Sequence, residues 1–192
     1  GCGKPVVVIN MSGSAMDMRI HEEKARAIIQ AWYPGARAGT DIADIIFGKV
    51  SPSGKLPVTF YNSDEDLPDF HDYTLKNRTY RYFEGTPLYP FGYGLTYGNC
   101  KATAITASGN TSNAKLTVTV KNEGNFATED VLQIYIKDEK SGYDVLNHRL
   151  CAFKRVSLAA GEEKQVEIDL APRSFTTVDD NGERAIRSNT FT

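Results

Sequence analysis

Three stretches in the second half of the chain alternate strictly between apolar and polar side chains, and this limits the fold more than anything else in the sequence. Leu116, Val118 and Val120 alternate with Thr117, Thr119 and Lys121. Leu132, Ile134 and Ile136 alternate with Gln133, Tyr135 and Lys137, and Val166, Ile168 and Leu170 with Gln165, Glu167 and Asp169. In an extended chain successive side chains point to opposite faces, so a period of two with one apolar face marks a half-buried antiparallel strand. Asn122-Glu123-Gly124-Asn125, Ala160-Gly161 and Asp179-Asp180-Asn181-Gly182 supply turns between the strands. Short strands at this spacing predict a β-sandwich, with the apolar member of each row pointing inwards. The single tryptophan, Trp32, lies in the other half, so the Cys–Trp–Cys framework of antibody domains is absent. A fibronectin-III-like sandwich of the immunoglobulin-like class fits better.

The first half reads as α/β. Val6 to Ile9 is a continuous apolar run, suited to a strand buried on both faces of a parallel sheet. His21 to Ala27 is polar and helix-compatible, and Ala27 to Trp32 forms a second buried strand. Tyr33-Pro34-Gly35 stops that strand, because Pro restricts its predecessor and Gly permits the turn. Ile42, Ile45 and Ile46 recur at helical spacing, which predicts a helix over Thr40–Phe47 with Gly48 as its stop. Leu56 to Phe60 reads as a short strand that Pro57 places near an edge. The expected organisation is an α/β segment over residues 1–62, a connector over 63–100 and the sandwich over 101–192. The α/β segment is expected to hold part of a mostly parallel sheet with helices and to leave an open apolar edge. The connector is rich in Tyr, Phe, Pro and Gly. A loop this long inside a compact domain is uncommon unless it is functional or packs on another body. Its rings at Tyr73, Tyr80, Tyr82, Phe83, Tyr89, Phe91, Tyr93 and Tyr97 are too many for a solvated linker and are expected to be covered.

Composition narrows the function classes. Lys plus Arg is 22 against 24 Asp plus Glu, so the basic excess of a nucleic-acid binder is missing. No apolar run approaches the roughly 20 residues of a membrane helix. The opening Gly1-Cys2-Gly3-Lys4-Pro5 has no signal-peptide pattern, which leaves cytoplasmic and secreted or periplasmic locations open. Cys2, Cys100 and Cys151 show no metal spacing and read as buried or incidental thiols. His21, His71 and His148 are far apart. No metal and no cofactor is expected. Gly35-Ala36-Arg37-Ala38-Gly39-Thr40 leads into a helix as a phosphate cradle would, but lacks the Gly-Lys-Ser/Thr ending and reads as a strand–turn–helix joint. Ser12 and Ser14 follow a strand as a serine nucleophile would, without the Gly-x-Ser-x-Gly pattern. The acidic clusters read as solvated charge, and the Asn-x-Ser/Thr patterns at Asn10, Asn77 and Asn110 are short enough to arise by chance.

Longer motifs carry more. Ala31-Trp32-Tyr33-Pro34-Gly35, Ile42 to Gly48, and Pro52-Ser53-Gly54-Lys55-Leu56-Pro57-Val58-Thr59-Phe60 resemble the C-terminal region of family 3 glycoside hydrolases. Leu88-Tyr89-Pro90-Phe91-Gly92-Tyr93-Gly94-Leu95-Thr96-Tyr97 resembles the aromatic signature ahead of that family's fibronectin-III-like domain. Val118 to Asn122 with Gly124, Val131 to Tyr135, Leu150 to Leu158 and Gly161-Glu162 are similar to that domain itself. The resemblance covers nearly the whole chain, in order and spacing.

The resemblance implies the C-terminal region of a retaining β-glycosidase, an exo-acting β-glucosidase or β-xylosidase acting on terminal β-linked sugars of plant-type oligosaccharides. The family's Asp nucleophile sits on a TIM-like barrel and its Glu acid/base on an upstream α/β segment. Neither motif is matched here, so no catalytic residue is assigned and the chain alone is expected to be inactive. Its implied partners are that barrel and that segment, a glycoside or oligosaccharide substrate in the parent, and a second copy as a further option, with no nucleic acid and no membrane. Leu67-Pro68-Asp69-Phe70, Tyr73 and Arg78-Thr79-Tyr80-Arg81-Tyr82-Phe83 resemble β-xylosidase-like members. Arg78 and Tyr80 are the substrate-binding candidates, since sugars are held by aromatic faces and fixed planar donors; the competing reading is that they only glue two bodies together. A non-catalytic module that binds carbohydrate or protein, or only supports folding, is the alternative function. Ile186 to Thr192 departs from the family's usual last strand.

Overall fold

The computed structural model describes residues 3–192, so the reading of Cys2 concerns a residue outside those described. The chain divides into two compact units. One runs up to Val50 and resumes over Lys55–Tyr93; the other comprises Ser51–Gly54 and Gly94–Thr192.

In the first unit, β1 (Val7–Asn10) and β2 (Ala27–Gln30) pair in parallel, with Val8 opposite Ile28 and Ile9 opposite Ile29. The helix α1 (Arg19–Lys24) falls between them in sequence, within the crossover that a parallel pair requires. Helix α2 spans Ala38–Ile46, close to its expected limits. Gly35 supplies the turn before it with φ of 75°, a conformation other residues resist. The expected mostly parallel sheet is not found. The β1–β2 pair is the one parallel pairing among the described strands, and every other pairing is antiparallel. The Leu56–Phe60 strand does not form either. Leu56 and Phe60 are tied to the Tyr89–Tyr93 segment by separate backbone bonds: Leu56 N to Tyr93 O and Gly92 N to Leu56 O, both 2.8 Å, and a reciprocal Phe60–Tyr89 pair. Between these ties the chain bends at Pro57 and Val58, so no continuous ladder forms. Val7 and Ile9 stay 44% and 36% exposed. Parallel strands are ordinarily covered on both faces, so the two apolar runs are strands of the expected kind with little sheet around them. The connector region holds a 3-10 turn at Asp64–Asp66 and the short helix α3 (Thr79–Tyr82).

The second unit is antiparallel throughout. Strands β3 (Cys100–Ser108), β4 (Lys115–Asn122) and β7 (Glu163–Asp169) form one sheet in the order β3-β4-β7. Strands β5 (Thr128–Ile136) and β6 (Arg149–Leu158) form the other. A small hairpin, β8 (Thr177–Val178) with β9 (Arg184–Ala185), turns at Gly182, which takes φ of 81°. Leu116, Val118 and Val120 of β4, Val166 and Ile168 of β7, and Leu170 just beyond β7 point inwards as expected. They meet Ile136, Val156 and Leu158 of the second sheet and Phe175. Leu132 and Ile134 are only half-buried and pack against this core from its margin. Strand β3 gave no alternating signal. Its Ala and Thr side chains lie on an edge and both its faces are largely exposed, Ile105 at 61%.

Of the polar side chains buried in this unit, Asn122 is the most deeply enclosed. Asn122, fully buried at the end of β4, uses all its capacity. Its Oδ1 accepts the backbone N–H of Asn99 and of Gly124, both at 3.0 Å. Its Nδ2 donates to the carbonyls of Phe126 at 2.8 Å and Ala159 at 3.0 Å. Asn122→Ala strands buried donors and acceptors and should lower the unfolding free energy of the chain by at least about 2 kcal/mol. Leu158→Ala empties a core site and should cost about 2–5 kcal/mol, whereas Ile105→Ala on the exposed face of β3 should stay within about 0.5 kcal/mol. Urea titrations of the three variants check this order; an Ile105→Ala cost equal to that of Leu158→Ala would mean that the outer end of the sheet is covered after all.

Candidate functional site

The parallel strands gather polar side chains at their carboxyl ends, the place where open α/β sheets present ligand-binding groups. Asn10 ends β1 and Gln30 ends β2. Asn10 Nδ2 donates to Gln30 Oε1 at 2.6 Å and to Ser12 Oγ at 3.0 Å, and the Ser12 hydroxyl donates to the Ser14 carbonyl at 2.8 Å. The Ser12 proton therefore goes to a carbonyl and not to a base, which removes the ground for a serine nucleophile. Trp32, two residues beyond β2, takes φ of 53°, an outlier for so bulky a residue.

Behind these ends runs a chain of rings. Trp32 meets Phe60 edge-on at 6.4 Å, Phe60 meets Tyr89 at 6.1 Å, and Tyr89 stacks on Tyr93 at 5.3 Å. The Tyr89 hydroxyl donates to Glu22 on α1. Burial, with that carboxylate as the second cause, pushes the Tyr89 phenol well above its ordinary range.

The connector region supplies the most built-up loop. Arg78 sits at its centre and spends its guanidinium on backbone carbonyls: Nε to Asp72 at 3.2 Å, and one terminal nitrogen to Asp69 at 2.6 Å and to Pro68 at 3.5 Å. Asn77 donates to the Asp66 carbonyl and accepts the N–H of Glu84 at 3.0 Å. Asp69 Oδ1 accepts the N–H of His71 at 2.7 Å, and Asp72 Oδ1 that of Thr74 at 2.9 Å. The latter bond is the main reason the Asp72 carboxyl lies below its usual range. Leu75, Asn77 and Thr79 all take positive φ, 64°, 55° and 55°, which is most unusual for the β-branched Thr79. Thr79 N–H donates to the Tyr61 hydroxyl at 3.0 Å.

Tyr80, the second candidate, lies with one ring face on Phe91, centroids 4.1 Å apart and planes 12° from parallel. The Arg81 guanidinium lies 5.8 Å from the same ring. Arg78 and Tyr80 thus belong to one unit but do different things: one holds backbone, the other packs. Not every connector ring is covered as expected. Tyr61 packs edge-on against the buried Phe83, but Tyr73 is 80% exposed and Phe70 79%. Composition pointed to burial here, and the loop instead turns these rings outwards. The Asn10–Gln30 pair was not singled out from sequence; its signal was a polar residue ending each of two apolar runs.

In the second unit, Asp144 and Arg149 form a nearly buried ion pair at 3.2 Å, and Arg149 also donates to the carbonyls of Ser174 and Thr176. Asp138, 3% exposed, accepts from Lys140 N–H, Ser141 N–H and the Ser188 hydroxyl through one oxygen. These contacts pin loops. Cys151 is half-buried, its thiol donates to the Ile134 carbonyl, and burial raises its pKa, as expected of an inert thiol. Among the described residues there is no group of three or more His, Cys, Asp or Glu able to hold a metal ion, and no helix long and apolar enough to cross a membrane.

Comparison with known proteins gives these features a family. The profile described as "Glycosyl hydrolase family 3 C-terminal domain" matches residues 1–97, and one described as "Fibronectin type III-like domain" matches residues 130–192. A xylan 1,4-beta-xylosidase of Xylanibacter ruminicola is 41% identical over 90% of this chain, which spans 20% of that protein. A putative beta-xylosidase of Formosa agariphila is 36% identical over 99% of the chain, which spans 26% of it. A periplasmic beta-glucosidase of Salmonella typhimurium is 33% identical over 90% of the chain. Among solved structures, a β-glucosidase from Streptomyces venezuelae in complex with D-glucose superposes with a TM-score of 0.85 at 29% identity, covering 97% of this chain and 26% of its own. The chain thus spans a fifth to about a quarter of the relatives it matches. With the profile running through the parallel strands and the connector loop, and the second through the sandwich, the chain belongs to glycosyl hydrolase family 3.

Proposed function

We propose that the chain is the C-terminal region of a retaining β-glycosidase that removes terminal β-linked sugars from plant-type oligosaccharides, xylose in preference to glucose. The observation that carries this is the 41% identity, over nearly the whole chain, to a xylan 1,4-beta-xylosidase. The β-xylosidase-like connector around Arg78 to Phe83 favours the same sugar. Retaining hydrolysis uses two carboxyl groups about 5 Å apart, one as nucleophile and one as acid and then base. On this reading both come from polypeptide outside these 192 residues, from a barrel and an upstream α/β segment. The half-open β1–β2 pair supports a partner of that kind, since Val7 and Ile9 are apolar strand residues without a covering layer. Arg78 and Tyr80 belong to the substrate-facing loop, with Arg78 acting through the carbonyls it holds.

The purified 192-residue chain should turn over neither aryl β-xylosides nor aryl β-glucosides, because loss of nucleophile and acid/base together removes most of the rate enhancement. The longer polypeptide that carries it should hydrolyse both, with the higher kcat/KM for the xyloside. Turnover by the chain alone, abolished by a substitution within it, would refute the division of labour. In the longer polypeptide, Arg78→Ala should lower kcat/KM and also lower the stability by about 1–3 kcal/mol through lost charge-assisted hydrogen bonds. Melting curves and kinetics on that one variant check both effects, and a stability loss with intact kcat/KM would take Arg78 out of the site.

A further inference from the structure

Strands β6 and β7 are joined by a short turn at Ala160-Gly161, yet they belong to different sheets, β6 with β5 and β7 with β4. Their facing edges form no ladder with each other. Away from the turn the strands part, and a cavity of about 450 Å³ opens between residues 150–154 and 167–169. Unpaired strand edges are places where another chain can add a strand. Here two lysines span the gap. Lys154 Nζ on β6 donates to the Glu167 carbonyl of β7 at 2.9 Å, and Lys164 Nζ on β7 donates to the Ser157 carbonyl of β6. The two bonds run in opposite directions and stand in one antiparallel register about the turn. What occupies these edges is therefore supplied by the chain itself.

Both lysines break the apolar pattern of their strands. Lys154 stands in the row of Val156 and Leu158, and Lys164 in the row of Val166 and Ile168, all four of which are buried in the core. A period of two calls for apolar residues at both places, whereas an inward-pointing charge on an edge strand keeps other strands away from it. The sequence of β6 shows which strand is kept away. A second copy of β6, laid antiparallel with the two-fold at Lys154, sets Ala152 against Val156 and the exposed Phe153 against Arg155. These are favourable cross-strand neighbours, apolar with apolar and cation with ring. The unfavourable contact is at the centre, where Lys154 meets Lys154 and like charges stand directly opposite. A two-fold interface needs only one self-complementary patch, so a single ammonium group decides whether β6 pairs with its copy.

We propose that Lys154, with Lys164 as its counterpart across the gap, is an edge guard that keeps the β6 edges of two copies of this chain from pairing. The test compares the 192-residue chain with its variants by sedimentation velocity over a range of concentrations. Lys154→Ala removes both the repulsion and the bond to Glu167. It should raise the association constant about fivefold or more over the wild type, which matches about 1 kcal/mol for a relieved like-charge pair. Hydrogen exchange should then show new protection confined to residues 149–158. Lys154→Glu keeps like charges face to face and should associate no more than the wild type. An equimolar mixture of wild type and Lys154→Glu brings opposite charges together and should give mixed dimers in native mass spectrometry. Lys154→Arg should behave as the wild type. Circular dichroism checks the fold of each variant, and if Lys154→Ala does not fold, the mixing experiment decides by itself. A folded Lys154→Ala chain with the wild-type mass at every concentration overturns the guard, as does a mixture with no more dimer than its two parts. Association without new protection in β6 overturns it as well, in favour of another edge or of the bare strands of the first unit.

Discussion

The second unit depends on Asn122. A sandwich built from β4 and β7 against β5 and β6 must end somewhere, and where its strands turn their backbone groups lose their ladder partners. Asn122 meets four such groups with one buried side chain, tying the chain before β3, the β4–β5 turn and the β6–β7 turn to a single point. Its own N–H is in turn held by the Glu162 carbonyl. A buried amide is costly unless fully satisfied, so its neighbours are constrained in their turn. A Cβ on Gly98 would come within 2.4 Å of Thr128 Cγ2 and 2.9 Å of Asn122 Oδ1, and one on Gly124 within 2.8 Å of Asn99 N. The two glycines are required by the closeness of backbone to this hub.

The first unit solves a different problem. Two short parallel strands cannot enclose a core, and its most buried side chains are not on them: Met18, Phe60 and Phe83 lie outside every strand and helix. Rings do the work that sheet layers do elsewhere. The Trp32–Phe60–Tyr89–Tyr93 chain joins the end of β2 to the segments around Phe60 and Tyr89, and the Tyr61–Phe83 and Tyr80–Phe91 contacts hold the connector. Edge-on and offset ring pairs add about 0.5–1.5 kcal/mol beyond the area they bury, and they help order a segment that has no regular ladder.

This difference explains what could be read from the sequence. The rows of β4, β5 and β7 were legible because each has one wet and one dry face, and a period of two has no other simple cause. The β1 and β2 runs were legible as strands by their apolar continuity, but their surroundings were not, since continuity says nothing about how many neighbours a strand has. Strand β3 was hidden because an edge strand of Ala and Thr has no face to mark. Leu56–Phe60 looked like a strand because residue propensity does not show the bend at Pro57 and Val58 that interrupts its pairing. Within the site, Arg78 was legible as a residue type. That its guanidinium faces carbonyls of its own loop was not, because those partners lie six to ten positions back and carry no side-chain signature.

The exposed rings at Phe70 and Tyr73 follow from the same economy. Leu75, Asn77 and Thr79 in left-handed backbone each cost about 1–3 kcal/mol, and hydrogen bonds from Arg78, Asn77 and the Tyr61 hydroxyl offset that cost locally. If covering apolar surface were the only demand on this loop, a relaxed backbone with Phe70 and Tyr73 turned inwards would meet it at lower cost. The observed loop does the reverse, combining strain, an internal arginine and bare rings. Strain of this kind persists only where the surroundings over-determine it, and here the Arg78 guanidinium, the Asn77 amide and the Tyr61 hydroxyl do so from close by, each bonded to backbone of the segment.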